Sequence, residues 1–302
     1  MTGPAPIFDR ALLDRRRRRA IRAAEPGADF LLDTIGDELA ERLSAVQRRF
    51  PLALDLGSPT PHLADRLAAG GQVDRIVRMD RLPEALAAGS HAAVVGDEQL
   101  LPFAPASLDL VVSALALQWT DDLPVTLAQI RRALRPDGLF LAALLGGDTL
   151  TELRDSLAAA EAEVSGGASP RVSPFVELRE CGALLQRGGF ALPVVDRDRR
   201  TVRYASALHL MRDLRAMGAT NVLVERDRRP LRRPVLRRAV EIYGERFADP
   251  DGRVRATFDV MSLSGWAPHD SQQRPLRPGS AKARLAEALG AVERPAGEKA
   301  GR

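Results

Sequence analysis

The 302-residue chain has a single cysteine, Cys181, which excludes an internal disulfide and any cysteine-based zinc cluster. Its four histidines, His62, His91, His209 and His269, are scattered, so no pair has the short spacing of a histidine metal site. Aromatic residues make up only 4% of the chain, too few to lay out a base-stacking surface for nucleic acid. No stretch approaches the ~18 uncharged apolar residues of a membrane-spanning helix. The N-terminus lacks the apolar segment of a secretory signal. No HExxH, P-loop, CxxC or GxSxG pattern occurs. Lysine is nearly absent. Of 44 basic residues only Lys282 and Lys299 are lysines, and alanine, glycine and proline are abundant beside the arginines. That composition reads as a GC-rich genome more than as a selected basic surface. The formal charge is only +4, too small a surplus to imply nucleic-acid binding.

Hydrophobic residues make up 45% of the chain, enough for a packed core. Residues 1–25 read as a basic N-terminal arm, arginine-rich from Arg10 to Arg22. Asp9, Asp14 and Glu25 argue against an organellar presequence, so a reducing cytoplasm is expected. Phe30, Leu31, Ile35, Leu39, Leu43 and Val46 keep helical spacing, and Pro51 ends that helix. Five apolar strands then alternate with helices: Leu52–Leu56, Arg75–Met79, Ala92–Val95, Leu108–Ser113 and Leu139–Leu145. The turn signal Pro136-Asp137-Gly138 precedes the last of them. This alternation predicts an α/β fold, a Rossmann-like doubly wound, mostly parallel sheet. Two late strands, 190–195 and 255–266, would complete seven. Residues 26–290 are expected to form one domain with a helical lid insert at about 200–250, followed by a disordered tail, 291–302.

Ligands of such sheets bind beyond the carboxyl ends of the strands, and this chain carries acids there. Asp55-Leu56-Gly57 follows the first strand, where a glycine lets the backbone approach a ligand. Asp80 ends the second strand. A carboxylate there can accept both hydroxyls of a ribose, and it can equally cap the helix that begins near Leu82. Asp97 and Glu98 follow the third strand, where an acid can accept the amine of an adenine. Asp109, inside the fourth strand, reads as structural. Residues 196–240 hold thirteen arginines and five acidic residues, which is either a solvated helical surface or a docking face for an acidic partner.

These residues carry a resemblance. Leu54-Asp-Leu-Gly57, Asp80, Asp97 before Leu101-Pro-Phe103, Asp109-Leu-Val-Val-Ser113 and Leu134-Arg-Pro-Asp-Gly-Leu139 resemble the motif series of class I S-adenosylmethionine-dependent methyltransferases. Ala114-Leu-Ala-Leu-Gln118-Trp119-Thr-Asp-Asp-Leu-Pro124, Gly146-Gly-Asp-Thr-Leu-Thr-Glu-Leu-Arg154 and Leu214-Arg-Ala-Met-Gly-Ala219 resemble two related groups. One is the malonyl carrier-protein O-methyltransferases of biotin synthesis. The other is the respiratory complex I assembly factors, arginine hydroxylases with a methyltransferase fold. Phe8-Asp9-Arg10, Ser173-Pro-Phe175, Asp251-Gly-Arg-Val-Arg-Ala-Thr257 and Gly265-Trp266 through Pro275, followed by Gly279-Ser-Ala281, favour the second group.

The resemblance implies an S-adenosyl-L-methionine site. Asp55 and Gly57 would lie at its methionine end, Asp80 at the ribose, and Asp97 or Glu98 at the adenine. Gln118 and Trp119 would line the reaction centre, with no metal. It also implies a protein substrate, an iron–sulfur subunit of respiratory complex I, and a peripheral place at the inner membrane through that partner. The family's Gly-x-Gly-x-Gly-like turn is replaced here by Ser58-Pro59-Thr60-Pro61, and Gln118 stands where the family usually has histidine. Three readings follow: an arginine-modifying assembly factor, a carrier-protein methyltransferase, and a non-catalytic assembly factor with a degenerate cofactor turn.

Overall fold

Strand residues of period two build the centre of the molecule. β1 (Phe50–Leu56), β2 (Val73–Asp80), β3 (Ala92–Val95), β4 (Leu108–Ala114) and β5 (Leu134–Leu145) run parallel. β7 (Val254–Trp266) joins β5 antiparallel, and β6 (Ala191–Tyr204) pairs antiparallel with β7 at the edge. The order is β3-β2-β1-β4-β5-β7-β6, the mostly parallel seven-stranded sheet that the strand spacing predicts. The computed structural model describes residues 5–273. The chain up to Pro268 is one unit and His269 begins another.

Alternate strand residues feed two cores. On one face Ala53, Leu110, Val112, Leu139 and Leu141 pack with helices α2 (Phe30–Ser44), α3 (His62–Ala69), α6 (Thr151–Ser165), α8 (Ala207–Ala216) and α9 (Arg233–Phe247). On the other face Leu54, Leu56, Val111, Phe140 and Leu144 pack with α5 (Leu123–Ala133) and α7 (Leu178–Arg187). In α2 the series Leu31, Ile35, Leu39 and Leu43 is buried along its whole length, each side chain contributing about 1.5–3 kcal/mol. The short α4 (Pro83–Leu86) sits between β2 and β3.

Three expectations change. Residues 10–23 are no arm: they form helix α1 (Arg10–Ala23), capped by Asp9, whose side chain accepts the Leu12 N–H at 2.9 Å. The turn signal 136–138 lies inside β5, where pairing shifts between Leu108–Leu134 and Leu110–Leu139 and Asp137 takes a φ of 64°. β6 extends nine residues past the expected Val195, because Asp196–Tyr204 continue the ladder with Val254–Ser262 of β7. The insert over the strand ends therefore begins after Tyr204 and comprises α8, α9 and the segment between them. Within their own unit, residues 269–273 form a turn in which His269 Nδ1 and Ser271 Oγ are 2.7 Å apart. Arg274-Pro275, Gly279–Ala281 and the tail 291–302 lie outside the described residues. Among the described residues no helix is long and apolar enough to cross a membrane.

Candidate functional site

The parallel strands point their carboxyl ends at one edge, and the predicted site residues gather there. Asp55 is fully buried near the end of β1. Its Oδ1 accepts the Ser58 hydroxyl at 2.5 Å, while its Oδ2 has no hydrogen-bond partner. Burial pushes this carboxyl up to about 7, against the smaller opposing pull of Ser58 and Arg78. Gly57 follows with a φ of +84°, and a Cβ there would lie 2.4 Å from the Ala116 Cβ. Only glycine satisfies both the left-handed backbone and that close approach.

The turn that replaces the family's glycines is held from β2. Arg78, 2% exposed, donates to the carbonyls of Ser58 at 3.1 Å, Ala85 at 3.0 Å and Ala88 at 2.7 Å. Its Nε lies 3.7 Å from Asp55 Oδ2. A buried guanidinium therefore fixes a proline-containing turn that has few N–H groups of its own. Asp109 proves structural, accepting from the Leu52 N–H and the Arg135 guanidinium.

The other predicted acids are present but engaged. Asp80 is 1% exposed. Its Oδ1 accepts the Leu82 N–H at 2.8 Å in the turn leading into α4, which has no side-chain cap of its own, and its Oδ2 accepts Arg17 of α1 at 2.6 Å. Glu98 accepts Arg10 of α1 at 2.5 Å. Burial raises its pKa from the ordinary value, with Arg10 opposing. Asp97 accepts both Arg10 at 3.1 Å and Arg81 at 2.9 Å, and Arg81 also reaches Asp14 of α1 at 2.8 Å. The sequence reading missed Arg10, Arg17 and Arg81 as site residues. The available signal was a run of arginines upstream of a sheet whose strand ends are acidic.

A cavity of about 350 Å³ opens beside this cluster. Its floor is Gly57, Pro59, Ala114 and Ala116 at the ends of β1 and β4, and its roof is Met211, Leu214 and Gly218 of the insert. The walls are mostly apolar. Glu98, Gln118 and Trp119 line it, whereas Asp55, Asp80 and Asp97 do not. Gln118 donates through Nε2 to the Leu115 carbonyl at 2.7 Å, but its Oε1 is buried without a partner. Trp119 packs edge-on against Phe8 at a centroid distance of 5.6 Å. Asp29, at the N-terminus of α2, also lines the cavity, and partial burial with Asp33 nearby raises its pKa.

Two further groups bear on chemistry. Cys181 is buried in the second core and its thiol is pushed up to about 12, so it stays an unreactive thiol. Among the described residues no three His, Cys, Asp or Glu side chains are grouped to hold a metal ion.

A seven-stranded, mostly parallel sheet with acids at its strand ends and a roofed cavity beyond them defines a methyltransferase-type fold. Residues 54–142 match the family described as methyltransferase domain. Human arginine-hydroxylase NDUFAF5, a mitochondrial protein, is 40% identical over 97% of this chain and 86% of its own length. Malonyl-[acyl-carrier protein] O-methyltransferase of Xylella fastidiosa is 34% identical over 87% of this chain and 89% of its own length. In fold, the YcgJ protein of Bacillus subtilis superposes with a TM-score of 0.53 at 14% identity, over 76% of this chain and 98% of that one. The chain thus belongs to the class I methyltransferase-fold family of arginine-hydroxylase NDUFAF5, with the malonyl carrier-protein methyltransferases as more distant relatives.

Proposed function

We propose that this protein modifies an arginine side chain of a protein partner in respiratory complex I assembly, an iron–sulfur subunit being the expected partner. We further propose that its cleft accepts S-adenosyl-L-methionine. The family membership supports the first part. The observation that carries it to the pocket is the hydrogen-bond character of the cavity. Gln118 Oε1 is a buried acceptor with no donor, and the Asp29 carboxylate at the wall makes no side-chain hydrogen bond or ion pair. Of the cationic groups lining the cavity, Arg17 and Arg171 are engaged with Asp80 and Glu161. A guanidinium on an apolar stem offers only donors, so it matches apolar walls with unsatisfied acceptors.

For the cofactor, the methionine end fits the turn at Gly57, where glycine leaves room beside Ala116. The nucleoside end has the right acids in Asp80, Asp97 and Glu98. When bound, the sulfonium compound supplies an activated methyl group. This chain's part is to bind, to orient and to exclude water.

A strain lacking the gene tests the substrate class. Peptide mass spectrometry of complex I subunits should find an arginine whose added mass, one methylene for methyl transfer or one oxygen atom for hydroxylation by an external oxidant such as dioxygen, is lost in the deletion strain and returns on complementation. Arginine masses identical in both strains refute the reading. One observation favours carrier-protein methylation instead: Arg215, an exposed residue of the cavity lining, makes no ion pair and suits a substrate carboxylate. Biotin auxotrophy of the same strain would establish that alternative.

A further inference from the structure

Helix α1 occupies the place where a nucleoside would meet its carboxylates. Arg17 and Arg10 are held by Asp80 and Glu98 at 2.6 and 2.5 Å, and Arg10 also reaches Asp97 at 3.1 Å. Arg10 donates to the Trp119 carbonyl at 2.6 Å as well. The guanidiniums are thus spread along the strand ends from β2 to the turn after β4. Asp80 has 1% of its surface open, and the cavity stops short of both Asp80 and Asp97. A ribose cannot reach Asp80 while α1 is seated.

The attachment of α1 is of a kind that can be released. Leu13 is its only buried residue. It belongs to a small separate cluster with Phe8, Val222 and Leu223, apart from the two sheet cores. Its remaining ties are polar: Asp14 is paired with Arg81 at 2.8 Å, Arg18 and Arg22 are paired with Glu84 of α4 at 2.8 and 3.1 Å, and the others run to the insert. Asp9 N–H donates to the Val222 carbonyl at 2.7 Å, Arg226 to Asp9 at 2.9 Å and Arg16 to the Asn221 carbonyl. Gly218, with a φ of +73°, lets the Arg17 backbone lie against the insert, since a Cβ there would be 3.1 Å from the Arg17 Cα. The link to α2 is exposed from Arg22 to Gly27. It contains Ala24 in the left-handed region, Pro26, and Gly27 at a φ of +80°.

We propose that α1 is an internal latch on the nucleoside subsite: Arg17 and Arg10 compete with the cofactor's ribose and adenine for Asp80 and Glu98, and the cofactor binds only when α1 swings away about residues 24–27. This rests on the S-adenosylmethionine reading of the cleft. If the open form is ~1–10% populated, the apparent affinity of the nucleoside is reduced ~10–100-fold, and removing the latch restores it. The geometry assigns Arg17 the larger share, because its partner Asp80 is the more enclosed.

S-adenosylhomocysteine is the probe, measured by isothermal titration on the full chain, with circular dichroism to check folding. Arg17→Gln should bind at least about tenfold more tightly than wild type. Arg17→Gln/Asp80→Asn should lose that gain. Arg22→Gln, on the same helix and paired only with Glu84, should match wild type. In wild type, amides of residues 10–23 should exchange faster when the probe is bound. Equal or weaker binding by Arg17→Gln overturns the latch and leaves the cofactor reading standing. Slower exchange of α1 on binding also overturns it, making α1 a cover that closes over the ligand. An equal gain from Arg22→Gln would reduce the effect to net charge and overturn it as well. Absence of binding by every variant at millimolar probe overturns the latch together with the cofactor reading.

Discussion

Substituting Asp55 isolates a carboxyl whose pKa is strongly raised by burial. Asp55 is fully buried beside an apolar strand end, and its pKa rises from 3.8 to about 7. An unfolded chain gives up this proton near pH 4, whereas the native chain keeps it up to about pH 7. Between those values the native state binds more protons than the unfolded state, so stability falls as pH rises, and it levels off above the native pKa. At about 1.4 kcal/mol per pH unit for one proton, the interval is worth up to ~4 kcal/mol. That figure already includes the opposing pull of Arg78 at 3.7 Å, which favours the ionised form. Asp55→Asn removes the titration while keeping an acceptor for the Ser58 hydroxyl. Urea unfolding at several pH values between 4 and 8 should show the wild type losing stability relative to Asp55→Asn as pH rises, with the difference flat above pH 7. A difference that is constant with pH, or that moves in favour of the wild type as pH rises, would refute the assignment of a raised pKa to this group.

Two other substitutions probe the turn itself. Gly57→Ala combines a left-handed backbone with a Cβ 2.4 Å from that of Ala116. It should cost about 2–4 kcal/mol, read as a lower urea midpoint with an unchanged slope, and a loss below about 0.5 kcal/mol would contradict the close approach. Arg78→Met leaves the carbonyls of Ser58, Ala85 and Ala88 without their donor. The expected loss is about 3–5 kcal/mol, with the Asp55 titration moved still higher once its neighbouring cation is gone, and thermal unfolding across pH checks both effects.

The sheet was readable because its strands obey simple rules. Leu54, Leu56, Val111 and Phe140 serve one core, while Ala53, Leu110 and Leu139 serve the other, which produces the continuous apolar runs that mark buried parallel strands. Helix α1 was not readable from periodicity, since Leu13 is its only buried residue. A capping signal was present in Asp9, and arginine itself is a good helix former. The far half of β6 was hidden by charge. Asp196, Arg197, Asp198 and Arg199 look like a loop, yet they extend an edge strand, where charged residues guard against pairing with other chains. In the site, strand geometry made the acids legible. Their occupants were not, because Arg17 meets Asp80 across 63 positions and Arg10 meets Glu98 across 88. No local pattern encodes such a pair.

The same geometry changes what the arginine-rich composition means. Within residues 196–240, Arg197, Arg199, Arg200 and Arg203 lie on β6 and are paired with Asp148, Asp259, Glu38, Asp198, Asp249 or Asp251. Arg226, Arg229, Arg237 and Arg238 are also paired. Arg212, Arg215, Arg228, Arg232 and Arg233 are exposed and make no ion pair, so the cationic surface left for an acidic partner is smaller than the sequence count and lies on the insert alone. The arginines around the site do a different task. Arg78 spans three carbonyls, Arg81 bridges Asp14 and Asp97, and Arg10 bridges Asp97, Glu98 and the Trp119 carbonyl. Each contact set needs the several directed donors of a planar guanidinium, which an ammonium does not offer. The number of arginines reads as codon bias. That bias does not account for their positions at the strand ends, where Arg10, Arg17, Arg78 and Arg81 tie the turn and the strand-end acids together.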